Sequence, residues 1–220
     1  SPFFLATGFL RPHVPYAVPR EYFDRYDQAA LILPDIPEDE MADIPLMGKA
    51  IAYGYTPKGG WYDVKQQENM LRELVHAYLA SVSFVDEQVG RVLDALENSP
   101  HADNTIIVRG SDHGQHLGEK RHFRKQALWE EASRVPLFFY DPRNPKAGTC
   151  AEPASLLDLY PTLLDLCGLP ANAHNDGMSL RPWIEGASQA RERPVLISWR
   201  YKNTAVRSKH WRYIQYRDGT

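Results

Sequence analysis

The sequence is short of several things that would settle its class at once. It has two cysteines among 220 residues, Cys150 and Cys167, in neither a CxxC pattern nor a knuckle spacing. That excludes a disulfide framework and a structural zinc knuckle, and leaves the two readable as one disulfide or as two buried thiols. Its most apolar runs, "VPLFFY" and "SPFFLATGFL", are too short or too interrupted to cross a bilayer. No long block of one charge occurs: 25 basic and 28 acidic residues give a formal net charge of -3. A polyphosphate footprint is therefore missing, and nucleic acid is not an expected partner. There is no internal repeat. Neither end looks like a terminus, because the chain opens without Met or a basic leader and closes inside a hairpin-like pattern. We expect a piece of a longer polypeptide.

What is present suits a globular domain. Hydrophobic residues make up 43% of the chain, enough for one sizeable core. "PFFLATGFL" reads as a buried strand running into the proline-stiffened loop "RPHVPY". From Arg20 to Gly60 the pattern is irregular and dotted with prolines, as in a long surface excursion. Leu71, Leu74, Val75, Tyr78, Val82, Val85, Val89, Val92, Leu93 and Leu96 then recur at helical spacing, predicting one long amphipathic helix over about 67–98. "NTIIVRG" and "VPLFFYDP" read as buried strands. "ASLLDLYPTLLDLCGLP" reads as a helix with Pro161 in its first turn and Gly168 as its stop. "PVLISWR" and "TAVRSKHWRYIQYRD" read as further strands, the last pair antiparallel. Strand, long helix, strand, helix and strand in this order predict an α/β fold with a mostly parallel sheet flanked by helices over 1–190, and the start of a small antiparallel subdomain over 191–220.

The stretch "VRGSDHGQHLGEKRHFRK" concentrates the chemistry. Asp112 and His113 fall just past the carboxyl end of a predicted strand, where open α/β sheets bind ligands, and a hard divalent cation accepts a carboxylate oxygen. The plainer alternative is a loop Asp accepting backbone N–H groups beside a surface His. Lys125 ends a cationic segment with Lys120, Arg121, His122 and Arg124. Most of these read as a solvated face, and one inward-pointing Lys would suit a tetrahedral oxyanion. His13, set between prolines, reads either as a packed imidazole or as a proton donor to a leaving oxygen. His116 and His122 carry the same ambiguity with less support from position. An oxyanion ester would use all of these: a cation for its non-bridging oxygens, fixed positive charge, and an acid for the departing alcohol. The set lacks a nucleophile.

At this point the residues show a resemblance. "NTIIVRGSDHGQHLGEKRHFRKQALWEEASRVPLFFY" resembles the sulfatase family of the alkaline phosphatase superfamily, and within it bacterial relatives of iduronate-2-sulfatase. "GFLRPHVPYAVPREYFDRY", "YLASVSFVDEQVGRVLDALE", "LLDLYPTLLDLCGLP" and "TAVRSKHWRYIQYRDG" are similar to the family's other blocks in the same order. The resemblance implies an alkaline-phosphatase-like fold and a sulfuric ester hydrolase acting on a sulfated sugar or polysaccharide. It implies Ca2+ held partly by Asp112 and His113, a sulfate contact from Lys125, a catalytic and substrate-binding role for His13, and substrate contacts near Gln115, His116 and His122. Members use a formylglycine made in a "C/S-x-P-x-R" motif. Neither "CAEPA" nor "CGLPA" fits that motif, so the nucleophile is expected from an upstream segment acting as partner to this one. Gln115 and Phe123 stand where the family commonly has Trp, which puts uronate specificity in question. Export to the periplasm or beyond is the family's common habit. A phosphodiesterase or phosphonate monoester hydrolase of the same superfamily, and a non-catalytic fragment, are the competing expectations.

Overall fold

The computed structural model describes residues 2–53 and 69–220. Its longest element is the predicted amphipathic helix, here α3 (Met70–Glu97). The segment before it lies along it. Helix α1 (Arg20–Phe23) leads in, and Tyr22 meets Phe84 edge to face at 5.2 Å. Tyr26 and Ser83 share a hydroxyl hydrogen bond of 2.5 Å, and the Arg72 guanidinium donates to the carbonyls of Gln28, Ala29 and Leu31. The proline-dotted excursion is thus a strap across the buried stripe of α3, in which Val75, Ala80 and Ser81 are sealed. Within the strap's continuation, α2 (Leu46–Ala52) is helical. The predicted loop over 54–60 lies outside the described residues.

Among the described residues the strands are β1 (Ile107–Gly110), β2 (His116–Leu117), β3 (Phe123–Arg124), β4 (Leu137–Tyr140), β5 (Val195–Ser198), β6 (Thr204–Arg207) and β7 (Arg212–Gln215). Every pairing among the described residues is antiparallel: β1 with β4, β2 with β3, and β5–β6–β7 in order. This corrects the expected parallel sheet. A parallel neighbour needs a crossover, usually a helix. The link from β1 to β4 holds only the β2–β3 hairpin and the four-residue helix α4 (Glu130–Ser133), so the chain turns back on itself. The predicted first strand is a second correction. "PFFLATGFL" forms no ladder, and Phe4, Leu5 and Leu10 are 82%, 71% and 72% exposed, because no strand among the described residues pairs with it. β4 is likewise less buried than its composition suggests, with Phe138 and Tyr140 exposed. The cysteine reading also changes: Cys150 and Cys167 are both free and exposed.

The core lies where three distant pieces meet. Met41 and Ala52 pack with Ala127, Trp129 and Ala132, while Ile51 and Leu128 pack with Ala205 of β6 and with Tyr216, just past β7. Arg212 fixes that junction by donating to the Leu128 carbonyl, to Glu130 Oε2 at 2.7 Å and to Ser133 Oγ at 2.8 Å. Helix α5 (Leu159–Leu166) stops as expected, with Gly168 at φ +67°, a backbone state that glycine adopts freely. Its entry is built around Asp158, which is fully buried. Asp158 accepts the N–H of Ser155 at 2.7 Å and of Met178 at 3.0 Å, and pairs with buried Arg191 at 2.6 Å. One carboxylate thereby ties a helix entry, a return loop and the lead-in to β5. A short helix α6 (Arg181–Ile184) follows the return loop.

Candidate active site

The segment after β1 leaves the sheet edge as Ser111–Gly114 and is pinned against α4. Gly114 N–H donates to the Ala132 carbonyl at 2.8 Å. A Cβ on Gly114 would lie 2.0 Å from the Glu131 carbonyl oxygen, so the loop's approach requires glycine. We expect Gly114→Ala to cost about 1–3 kcal/mol through this backbone clash. Urea unfolding would show the lowered midpoint, and an unchanged midpoint would refute the pinning.

Asp112 extends outward from this loop, with its side chain 85% exposed. His113 Nδ1 sits 2.8 Å from the Gly114 carbonyl oxygen, a bond that only Nδ1–H can make. Its Nε2 is left for a second partner and faces Asp112 Oδ2 at 3.6 Å. A metal-binding imidazole typically donates its other N–H to a carbonyl in this way. Among the described residues no three His, Cys, Asp or Glu side chains converge on one point. Asp112 and His113 are at most part of a ligand set.

Lys125 and His13 meet across 112 positions of sequence. Lys125 Nζ lies 2.8 Å from His13 Nε2. His13 Nδ1 is 2.6 Å from the Val14 carbonyl oxygen, so Nδ1 carries the ring proton and Nε2 accepts from the lysine ammonium. The His13 loop is shaped by Arg11, whose guanidinium reaches the carbonyls of Ala17 and His13. The same loop touches the other end of the segment: Gln115 Nε2 donates to the Tyr16 hydroxyl at 3.3 Å. Residues 11–17 therefore bridge the Asp112–Gln115 loop and the end of β3.

Tyr16 escaped the sequence reading, since a phenol beside a proline gives no chemical signal of its own. Burial, helped by neighbouring Tyr78, pushes its hydroxyl up to about 12, so it stays protonated and serves as a neutral wall and hydrogen-bonding partner.

His116 and His122 turn out to be core residues, which corrects their reading as substrate contacts. They are 0% and 6% exposed, with ring centroids 5.0 Å apart, and His116 lies 5.8 Å from Trp129. His116 Nδ1 binds the Glu119 carbonyl and His122 Nδ1 the Ala52 carbonyl, at 3.0 and 2.8 Å. Neither Nε2 has a hydrogen-bond partner. A cationic run looks solvent-facing on paper, but these two rings point into the hairpin's packed side.

Burial lowers the affinity of both rings for protons, pulling His122 from 6.5 to about 4. An unfolded imidazole takes up its proton first as pH falls. The stabilisation is therefore complete above about pH 6.5, and for His122 about 3 kcal/mol is lost as pH drops toward 4. Urea midpoints should fall over that window, and imidazole NMR should show His122 still neutral at about pH 5.5 and His116 titrating below the ordinary imidazole range. Rings that titrate near 6.5 would contradict this packing.

The fold and this geometry can now be set beside known proteins. Residues 1–169 match the model of the Sulfatase family. The chain is 45% identical over 221 residues to a sulfatase of Formosa agariphila, an alignment covering 100% of this chain and 43% of that protein. It is 34% identical over 211 residues to mouse iduronate 2-sulfatase, covering 77% and 36%. It superposes on a phosphonate monoester hydrolase from Silicibacter pomeroyi with a TM-score of 0.78 at 27% identity, covering 94% of this chain and 46% of that one. The chain thus spans less than half the length of these relatives. No helix among the described residues is long and apolar enough to cross a membrane. Matched over most of its length, the chain belongs to the sulfatase family, within the alkaline phosphatase superfamily.

Proposed function

We propose that this chain forms part of a sulfuric ester hydrolase acting on a sulfated sugar or polysaccharide, and that an upstream segment of the same enzyme supplies a formylglycine nucleophile. The observation that carries the reading is the 2.8 Å approach of Lys125 Nζ to His13 Nε2. The pair holds one positive charge and its protons at a single point, where a tetrahedral oxyanion needs both charge compensation and a proton for the departing alcohol. Lys125 holds the sulfate. His13, oriented by its Nδ1–H bond, takes a proton at Nε2 from Lys125 Nζ and passes it to the leaving oxygen as the S–O bond breaks, and Lys125 regains a proton from water. Asp112 and the Nε2 of His113 would help hold Ca2+, whose charge would offset the non-bridging oxygens. Gln115, beside Tyr16, faces the sugar.

Family membership and relatives named for sugar sulfates support this reading. The test is inorganic sulfate release from sulfated monosaccharides by the complete enzyme, with and without a calcium chelator. Sulfate release that falls at least tenfold on chelation is expected. A second reading, hydrolysis of phosphonate monoesters, draws on the close superposition with the Silicibacter enzyme. Under identical conditions, a phosphonate monoester turned over faster than any sulfate ester would favour it.

A further inference from the structure

Three of the five non-glycine residues with positive φ among the described residues lie just before Lys125: Lys120 at 55°, Arg121 at 50° and Arg124 at 83°. Long cationic side chains are poor occupants of the left-handed region, and they persist there only where the surroundings fix the backbone. For Lys120 and Arg121 one distant side chain does so. Glu40 Oε2 accepts the Lys120 N–H at 2.9 Å, and Glu40 Oε1 accepts the Arg121 N–H at 3.1 Å. A single carboxylate closes over two consecutive amides, the cradle such a turn offers to an anion. Two further bonds tie the same segments: Lys120 Nζ donates to the Glu40 carbonyl at 3.0 Å and the Arg121 guanidinium to the Glu38 carbonyl at 2.5 Å. From this turn, β3 runs for two residues, paired only through His116↔Arg124 and Leu117↔Phe123, and delivers Lys125. So short a ladder has little power to hold a direction that the turn before it does not set.

We infer that Glu40 is a positioning residue of the ester-hydrolysing site, its carboxylate fixing the turn at Lys120 and Arg121 in the form that aims Lys125 at His13. The inference rests on the role proposed for Lys125. It explains why a cationic turn occupies unfavourable backbone states directly upstream of the sulfate contact, and it gives an acidic residue in "PEDEMAD" a function that no motif signals.

The test is a double-mutant cycle in the complete enzyme, with Glu40→Ala, Lys125→Ala and the pair, read as kcat and KM for a sulfate ester. Amide hydrogen exchange at Lys120 and Arg121 is read in parallel. Glu40→Ala should lower kcat/KM about 10- to 100-fold, mainly through kcat, since misplacement by about 1 Å costs that much. Both amides should exchange faster. Glu40→Gln, which keeps one acceptor oxygen, should fall between wild type and alanine, and it carries the test if the alanine variant does not fold. In the Lys125→Ala background the loss from Glu40→Ala should shrink to within about twofold, because the group it positions is gone. Full multiplication of the two losses would overturn the inference, showing Glu40 to act on the fold at large. Unprotected amides in wild type would overturn it as well. If Lys125→Ala itself loses nothing, the proposed role of Lys125 fails first and the positioning role falls with it.

Discussion

In the complete enzyme, Lys125→Ala and His13→Ala are each expected to lower kcat/KM for a sulfate ester by about 10²- to 10³-fold, the usual cost of removing one fixed donor to a developing oxyanion. The double variant should lose little more than the worse single one. Lys125 Nζ and His13 Nε2 are hydrogen-bonded at 2.8 Å, and groups that act as a unit fail as a unit. Stability should barely change. His13 is exposed and its loop is held by Arg11 rather than by the imidazole, so each substitution should stay within about 0.5 kcal/mol by denaturant unfolding. Independent, multiplying losses would mean that the two residues serve different steps.

The largest effect on stability is expected at a residue far from that pair in sequence. Asp158→Ala removes the acceptor for two backbone N–H groups and leaves the Arg191 side chain, 8% exposed, without its carboxylate partner at 2.6 Å, its Nε still donating to the Arg193 carbonyl. Breaking a buried pair from one side costs about 3–5 kcal/mol. Arg191→Met should cost less, because Asp158 keeps the N–H groups of Ser155 and Met178. Replacing both residues by apolar ones should not restore wild-type stability, since those two amides would stay unpaired at about 1–3 kcal/mol each. Gly177 adds a separate constraint: a Cβ there would lie 2.1 Å from the Leu157 carbonyl oxygen. Guanidinium unfolding of the variants orders these costs, and an Arg191→Met variant less stable than Asp158→Ala would contradict the assignment.

Local elements were legible wherever period and punctuation coincide. The apolar spacing from Leu71 to Leu96 marks α3, and Pro161 with Gly168 brackets α5, because each signal is set within a few residues. Pairing was not legible. "PFFLATGFL" has a strand's composition, yet a strand needs a neighbour, and none of the described strands takes that place. Direction was lost for the same reason, since β1 and β4 read alike whether they run together or opposed. At the site, sequence adjacency placed Asp112 beside His113, and the family resemblance singled out Lys125 and His13. The sequence did not separate His116 and His122 from a solvated charged face, because burial there comes in part from Ala52, 70 residues away from His122. Tyr16 and Glu40 were invisible because each acts through contacts about 80 or more residues away.

The most direct test of the central claim is inorganic sulfate measured by ion chromatography after incubating the complete enzyme, wild type or Lys125→Ala, with a sulfated oligosaccharide. Wild type should release sulfate in step with the desulfated product, and the variant should release it at least about 100-fold more slowly. Equal sulfate release from both proteins, or none from wild type under conditions where a phosphonate monoester is cleaved, would contradict that claim.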